Sequence, residues 1–232
     1  MSALISPADK VYTIFAGING VGKTSLYEIL KGSGELGERV NIDEIVLSMG
    51  SWRDTLIQIR AGRQAMAMIN RYISAGVSFH QETTLPGNTI IKQIKRARRA
   101  GFFIRLYFIG IDDAGTAIQR VHKRMEKGGH GIDDKVILKR SAVISDNLKG
   151  ILPFCDAVIF YDNTFRFRQI AVMKQGVLLD CDGDLPSWFQ NIFGSVPADT
   201  ISSFMPFSDN TEKADEEKAD SPDMPTVCCS DK

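Results

Sequence analysis

The chain has 232 residues, of which 44% are hydrophobic, and its 28 basic and 28 acidic side chains balance; that size suits one or two domains with a substantial core. No apolar run approaches the roughly 18–20 residues of a membrane helix, and residues 1–10 lack the apolar segment of a secretory signal, so we expect a cytoplasmic protein with no membrane partner. The four cysteines and three histidines show no metal-ligand spacing, which argues against a disulfide framework or a zinc site.

The charges are unevenly distributed along the chain. Residues 209–232 carry eight acidic and three basic side chains, which leaves 25 basic and 20 acidic residues in 1–208. We therefore expect a folded domain over residues 1–200 and an acidic, disordered tail over residues 201–232. The sequence assigns no role to that tail or to its adjacent Cys228 and Cys229. The mildly basic charge of the rest suits an anionic ligand.

In chain order, apolar runs rich in β-formers alternate with stretches of helical periodicity. Strands are predicted over residues 11–16, 40–42, 77–81, 102–109 and 157–161. Helices are predicted over residues 23–30, 53–75, 86–100, 114–127 and 134–149. A terminal hairpin is predicted over residues 169–173 and 176–179. Strands separated by helices indicate a parallel sheet covered on both faces, so the predicted fold class is α/β.

A phosphate-binding motif lies between the first strand and the first helix. Residues 17–24 read GINGVGKT and fit G-x-x-x-x-G-K-[ST] at every fixed position. In such a loop the backbone N–H groups converge on phosphate oxygens and the helix N-terminus adds its positive end. Lys23 would reach the β- and γ-phosphates, and the Thr24 hydroxyl would ligate Mg²⁺. We expect ATP to be bound by Gly17, Asn19, Gly20, Val21, Gly22, Lys23, Thr24 and Ser25.

Other motifs narrow the class of nucleotide-binding protein. A GTPase should carry [NT]-K-x-D, whereas the nearest match, EKAD at residues 212–215, lies in the tail and has the wrong first residue. A motor-type ATPase usually has an apolar strand that ends in an Asp-Glu pair, for which residues 110–113 are a poor substitute. A small-molecule kinase needs a carboxylate near the γ-phosphate, an acceptor pocket and arginines on a lid. The sequence favours this third class.

Two carboxylates follow predicted strands and are candidates for the acceptor site. Asp43 follows the second strand and Glu82 the third. Because ligands of open α/β sheets bind at the carboxyl ends of the strands, both side chains are expected near the phosphate loop. The alternative for the first of them is that Asp43 or Asn41 caps the next helix.

Basic side chains of the later helices are candidates for the lid. Arg120, Arg124 and Lys127 fall on one helical face, and Arg140 lies on the following helix; each could equally belong to a solvated face. Five cations within residues 92–99 make a nucleic-acid patch conceivable. Their alternation with apolar residues fits better a helix whose outer face is basic.

Taken in order, these segments resemble the zeta-toxin group of P-loop kinases, particularly its short stand-alone members. The matching segments are YTIFAGINGVGKTSL at 12–26, NID at 41–43, AGR at 61–63, SFHQETTL at 78–85, Arg120, Arg124, GGH at 128–130, KR at 139–140, Ser145, NL at 147–148 and YDN at 161–163. They span roughly residues 10–190. The sequence departs from the family pattern at residues 131–134, where a proline-containing turn is usual, and at Ser141, where an aromatic residue is usual.

The resemblance implies a helical lid that closes over a phosphate-loop core, and it assigns roles to residues. Asp43 would act as the base on a sugar hydroxyl, and Lys23, Arg120 and Arg140 would act on the transferring phosphoryl group. The acceptor would be held by Glu82, Thr83, Thr84, Arg63 and Arg124. Characterised members phosphorylate the amino sugar of UDP-N-acetylglucosamine and are inhibited by a small antitoxin; related kinases use a nicotinamide dinucleotide or antibiotics.

Three hypotheses follow from the sequence. The leading one is a small-molecule kinase that uses ATP and Mg²⁺ and acts on a UDP-sugar, with an antitoxin as a partner. The second is a nucleotide-gated interaction module that hydrolyses ATP slowly and has no acceptor. The third is a nucleic-acid-end kinase that uses the basic helix over residues 92–99, and it predicts strongly salt-dependent binding to oligonucleotides.

Overall fold

A computed structural model describes residues 10–194 of the chain. Its strands are β1 (Val11–Ala16), β2 (Glu38–Val40), β3 (Phe79–Thr83), β4 (Phe103–Gly110), β5 (Ala157–Asp162), β6 (Arg168–Lys174) and β7 (Val177–Cys181). They form one sheet in the order β2-β3-β1-β4-β5-β6-β7. The first five strands are parallel, and β6 and β7 extend the sheet as an antiparallel hairpin. The predicted α/β class, with its parallel sheet and terminal hairpin, is confirmed.

Helices cover both faces of the sheet. They are α1 (Lys23–Leu30), α2 (Ile42–Met49), α3 (Thr55–Ala75), α4 (Asn88–Arg99), α5 (Ala114–Glu126), α6 (Asp134–Ile151) and α7 (Ser187–Phe193). One core lies between the sheet and α3, α4 and α7, and the other between the sheet and α1 and α5. Successive side chains of β1 point to opposite faces of the sheet, so Ile14 packs in the first core and Phe15 in the second.

The predicted boundaries before α3 were wrong. The second strand ends at Val40, because the next residue starts a helix: the Asn41 side-chain oxygen accepts hydrogen bonds from the backbone N–H groups of Asp43 and Glu44 at 2.9 and 3.4 Å. Asp43 therefore stands in the first turn of α2 rather than at a strand end, and the alternative that Asn41 caps the next helix is confirmed. The bounds of α2 itself were not predicted from the sequence. The long helix begins later than predicted, after its N-cap Asp54.

The sequence also missed α7, a short helix that packs on the end of the sheet. Its Trp188 donates from the indole nitrogen to Asp162 Oδ1 at 3.0 Å. The indole ring covers Gly110, where a Cβ atom would overlap it. Among the residues that the structure describes, no helix is long and apolar enough to cross a membrane. The expected acidic tail at 201–232 lies outside residues 10–194.

Candidate active site

The phosphate loop connects β1 to α1, as predicted, and two of its glycines are required by its backbone. Gly20 and Gly22 have φ angles of 83° and 100°, which favour glycine. At Gly20, a Cβ atom would also overlap the backbone carbonyl of Ala117 on α5. The loop therefore keeps both its conformation and its close approach to α5 only with glycine at this position.

Lys23 begins α1, and its ammonium group folds back onto the loop. Its Nζ donates to the carbonyl oxygens of Gly17 and Ile18 at 2.9 and 3.0 Å. Burial lowers the pKa of Lys23 to about 8, although the nearby carboxylates of Glu82 and Asp43 act to raise it. The cation is thus held in place beside the cavity that the loop borders.

Glu82 collects three hydrogen-bond donors at one carboxylate. It accepts from Thr24 Oγ1 at 2.8 Å, from Arg39 Nη2 at 2.9 Å and from Asn41 Nδ2 at 3.0 Å. Its side chain is only 10% exposed. The sequence predicted that Glu82 follows the third strand, whereas the structure places it inside β3. This carboxylate ties the start of α1 to β2 and to the cap of α2.

Asp43 faces the loop from the first turn of α2. Its side chain is 51% exposed, and 3.5 Å separates its Oδ1 from Nε2 of His130, in the connection between α5 and α6. The His130 ring packs against Trp52 with 5.4 Å between ring centroids, and its Nδ1 is buried without a hydrogen-bond partner in residues 10–194. Asp43 is therefore accessible to a ligand and contacted from the side of α5 and α6.

Arginines of α5 and α6, the lid helices, reach toward the loop. Arg140 on α6 donates from Nη1 to Asn19 Oδ1 at 2.6 Å, and burial lowers its pKa while Asp43 acts to raise it. Arg120 on α5 donates from Nη2 to the carbonyl of Thr164 at 3.3 Å. Its Nη1 is buried, with no hydrogen-bond partner among the described residues. Arg124 Nε donates to the His130 carbonyl at 2.9 Å.

Three cavities adjoin at Asp43 and Glu82. The phosphate cavity, of about 320 Å³, lies over the loop and includes both carboxylates. The lid cavity, of about 690 Å³, lies between α2, α3 and the lid helices and includes Asp43, Trp52 and His130. The α3–α4 cavity, of about 600 Å³, lies between those helices and β3 and includes Glu82. A molecule in either larger cavity can therefore extend to the edge of the phosphate cavity.

The structure brings most of the predicted site residues together. The phosphate cavity is lined by Asn19, Gly20, Gly22, Lys23, Thr24, Ser25, Asp43, Glu82, Arg120 and Arg124. Arg140 lines the lid cavity and reaches the loop through Asn19. Arg63 and Thr83 line the α3–α4 cavity, and the Thr83 hydroxyl accepts a hydrogen bond from the Leu85 backbone N–H at 3.0 Å. The predicted residues Gly17, Val21 and Thr84 line none of the three cavities.

Several residues of the site were missed by sequence reasoning. Arg39 was assigned no role, although it holds Glu82 and lies 3.6 Å over the Tyr27 ring. Asn163 belongs to a segment of the resemblance, but only the structure shows that its Nδ2 donates to the Val21 carbonyl at 2.9 Å. The contact of His130 with Asp43 depends on the path of the α5–α6 connection, which no local pattern encodes.

The basic helix α4 uses its cations to contact the rest of the domain. Arg96 donates to Asn70 at 2.6 Å, Lys95 lies 4.8 Å over the Phe154 ring, and Arg98 is 3.8 Å from Asp156. Three of the five cations within residues 92–99 are thus engaged within the domain.

No family model matches the sequence. A protein of Haemophilus influenzae, described as uncharacterized, is 30% identical over 126 residues, which are 54% of this chain and 89% of that protein.

Solved structures with 15% sequence identity share the fold. The PezAT chromosomal toxin–antitoxin system of Streptococcus pneumoniae gives a TM-score of 0.51 over 68% of this chain and 70% of that chain. The AvrRxo1-ORF1:-ORF2 structure with ATP gives 0.58 over 74% of this chain and 60% of that chain, so this chain spans less than two thirds of the AvrRxo1 protein's length. This chain therefore shares its α/β fold with both structures.

Proposed function

We propose that this chain transfers the γ-phosphoryl group of ATP to a hydroxyl of a small molecule. The chain belongs to one family with the Haemophilus influenzae protein and has a P-loop kinase fold. The observation that carries the proposal is the phosphate cavity. There a phosphate loop, Lys23, an accessible carboxylate at Asp43 and the lid arginines Arg120 and Arg124 line one space. A base, fixed cations and a phosphate cradle are the parts that phosphoryl transfer requires.

Asp43 would serve as the general base. It would accept the proton of the acceptor hydroxyl while that oxygen attacks the γ-phosphorus, and the bond to the β–γ bridging oxygen would break to release ADP. The exposure of its side chain supports this role, since the base must reach a substrate atom. The contact with His130 would orient the carboxylate.

The cations around the cavity would stabilise the charge of the transferring group. Lys23 would exchange its two carbonyl contacts for phosphate oxygens, and Arg140 would exchange its contact with Asn19. The unpartnered buried Nη1 of Arg120 supports a role as a phosphate donor, because buried guanidinium N–H groups normally have acceptors.

The site also suits Mg²⁺. The Thr24 hydroxyl and the Glu82 carboxylate lie 2.8 Å apart, and hard oxygen donors of this kind are what Mg²⁺ prefers. Thr24 would hold the ion and Glu82 would orient it. When bound, Mg²⁺ would neutralise charge on the β- and γ-phosphates.

For the acceptor we propose a UDP-sugar, with UDP-N-acetylglucosamine as the first candidate. The resemblance of the sequence to the zeta-toxin group supports this choice. So do the two larger cavities beside Asp43 and Glu82, which have room for such a molecule. A nicotinamide dinucleotide and antibiotics are the other acceptors to compare.

The test is a search for phosphorylated product by mass. The protein is incubated with Mg-ATP and a panel of UDP-sugars, nicotinamide dinucleotides and oligonucleotides, and products are examined for the addition of one phosphoryl group. Asp43→Ala should remove transfer while ATP affinity is retained. Glu126→Ala is the control, because Glu126 is an exposed carboxylate of α5 and does not line the phosphate cavity. ATP hydrolysis with no phosphorylated acceptor would instead favour the interaction module.

We also propose that a small antitoxin protein binds this chain. The PezAT neighbour is a toxin–antitoxin system and the AvrRxo1 neighbour is a complex of two gene products. Copurification of the tagged chain with the product of the adjacent gene, followed by measurement of ATP binding with and without it, tests this proposal. ATP binding unaffected by every copurified protein would contradict it.

A further inference from the structure

The α3–α4 cavity contains a buried amide that nothing in phosphoryl transfer explains. The walls of this cavity are largely apolar, and they include Ile59, Ala65, Met66, Ile69 and Ile90. Gln81 of β3 lines it and is 6% exposed. Within residues 10–194, the Gln81 side chain makes no hydrogen bond, and neither of its polar atoms is fully shielded from the cavity.

The register of β3 directs this amide into the cavity. Ile14 pairs with Gln81 and Phe15 with Glu82, so the two residues of β3 lie on opposite faces of the sheet, as their β1 partners do. Glu82 turns to the phosphate loop, whereas Gln81 turns to α3 and α4. Strand β3 thus contributes one side chain to the phosphate cavity and the one before it to the α3–α4 cavity.

A second amide lines the same cavity. Gln93 of α4 is 9% exposed, and its Nε2 lies 2.7 Å from the sulfur of Met66. Its side-chain oxygen has no hydrogen-bond donor among the described residues. Buried side-chain amides normally have hydrogen-bond partners for their polar atoms, so two incompletely partnered amides between apolar walls indicate a ligand that supplies the missing partners.

The chemistry of the lining defines the group that fits. A glutamine amide offers a donor and an acceptor side by side, and its complement is another amide or imide edge. The charged residues that line the cavity are Arg63 and Glu82. Arg63 is exposed to solvent, and Glu82 also lines the phosphate cavity. The apolar walls around Gln81 therefore suit a neutral, flat group.

We propose that the α3–α4 cavity binds the amide or imide group of the acceptor, with Gln81 pairing to its N–H and C=O. This inference rests on the proposed function, and it assigns the recognition of the non-reacting part of the acceptor to Gln81. The uracil ring or the acetamido group of a nucleotide sugar, and the carboxamide of nicotinamide, all present this chemistry.

The proposal is tested by direct binding without ATP. Three neutral probes, uridine, N-acetylglucosamine and nicotinamide, are titrated into wild type, Gln81→Leu and Gln64→Leu, and binding is followed by calorimetry. At least one probe should bind wild type, lose about ten-fold or more in affinity with Gln81→Leu, and bind Gln64→Leu normally. Gln64 is the matched control because it is an exposed glutamine of α3 that lines none of the three cavities.

Chemical changes to the probe provide a second measurement that does not depend on folding of a variant. If uridine binds, N3-methyluridine, which lacks the imide donor, should bind wild type about ten-fold more weakly; for the other two probes the N-methylated amide serves the same purpose. Binding that is unaffected by methylation, equal affinities for wild type and Gln81→Leu, or no binding of any probe would overturn the proposal. A failure of the proposed function would appear differently, as probe binding without phosphorylated product in the mass assay.

Discussion

Arg140 and Asn19 join the lid to the phosphate loop across 121 residues of sequence, through a 2.6 Å hydrogen bond between Nη1 and Oδ1. The bond places a guanidinium group directly over the loop that would cradle a triphosphate. In this position Arg140 would exchange a neutral amide oxygen for a charged phosphate oxygen when nucleotide occupies the loop. The stronger, charge-assisted bond would then form only when nucleotide is bound.

Arg140→Ala should therefore impair transfer more than ATP binding. We expect kcat to fall about 10²–10³-fold, since a positioned donor to developing charge contributes on that scale, with a much smaller change in ATP affinity. The matched control is Lys139→Ala, which removes an exposed cation from the preceding position of the same helix. Steady-state kinetics together with ATP titration measure both effects. Equal losses in kcat from the two variants would refute a specific role for Arg140.

Lys23 should give nucleotide binding a pH dependence centred on pH 8. Burial lowers the pKa of Lys23 to about 8 in the free protein, so the charge that a phosphate requires is lost as pH rises through that value. ATP affinity should decline above pH 8 in wild type. In Lys23→Arg, whose guanidinium keeps its proton, it should stay flat over the same range. A wild-type profile that matches Lys23→Arg would contradict the prediction.

The same pKa shift predicts how stability depends on pH. The unfolded chain keeps the Lys23 proton up to its ordinary pKa of 10.5, whereas the folded chain releases it near 8. Between these values the unfolded state binds more protons, so the free energy of unfolding should rise with pH relative to Lys23→Met. Denaturant titrations of both proteins at pH 7 and pH 10 give the comparison. A difference of opposite sign would exclude a buried cation at this position.

His130 should act on catalysis through Asp43. Removing the ring in His130→Ala leaves the carboxylate without its 3.5 Å neighbour and Trp52 without its ring contact. We expect kcat to fall about ten-fold or more because misplacement of a base is costly, while ATP binding changes little. His122→Ala is the control, since His122 pairs with Asp134 on the exposed side of the lid helices. A loss of ATP affinity equal to the loss of kcat would assign His130 a purely structural role.

Gly110→Ala should destabilise the domain where α7 packs on the sheet. The new Cβ would overlap the Trp188 ring, and overpacking of this kind typically costs about 1–3 kcal/mol. Gly150→Ala is the matched control, because its Cβ would meet only Ile91 at an ordinary 3.6 Å and alanine favours the helix. Chemical denaturation should show a lower midpoint for the first variant and an equal or higher midpoint for the second.

The parts of the fold that the sequence predicted correctly are those with local signals. The motif at residues 17–24 marks the end of a strand, a loop and the start of a helix within one short segment. Gly76, with φ of 65°, ends α3 where the periodicity stops. The sequence did not show where α2 starts. The strand before Asn41 has three residues, which are too few for a clear period-two pattern, so its end could not be located. The seven residues of α7 are likewise too few for helical periodicity to show.

The site was predictable in its residue types and less so in its contacts. Asp43, Glu82 and Arg120 were expected to meet near the loop, and they line one cavity. Contacts such as His130 with Asp43 join distant segments, and only tertiary packing determines them. The direction of Gln81 depends on the register of β3, and a shift of one residue reverses it.

The docking of the lid has a consequence for the speed of ATP binding. Arg140 bonds to Asn19, His130 contacts Asp43, and Arg124 bonds to the His130 carbonyl. Entry of ATP that requires α5 and α6 to separate from the loop must break the first two together. Opening of the lid would then set a ceiling on the rate of ATP binding, and a binding rate that levels off as the ATP concentration rises would reveal it.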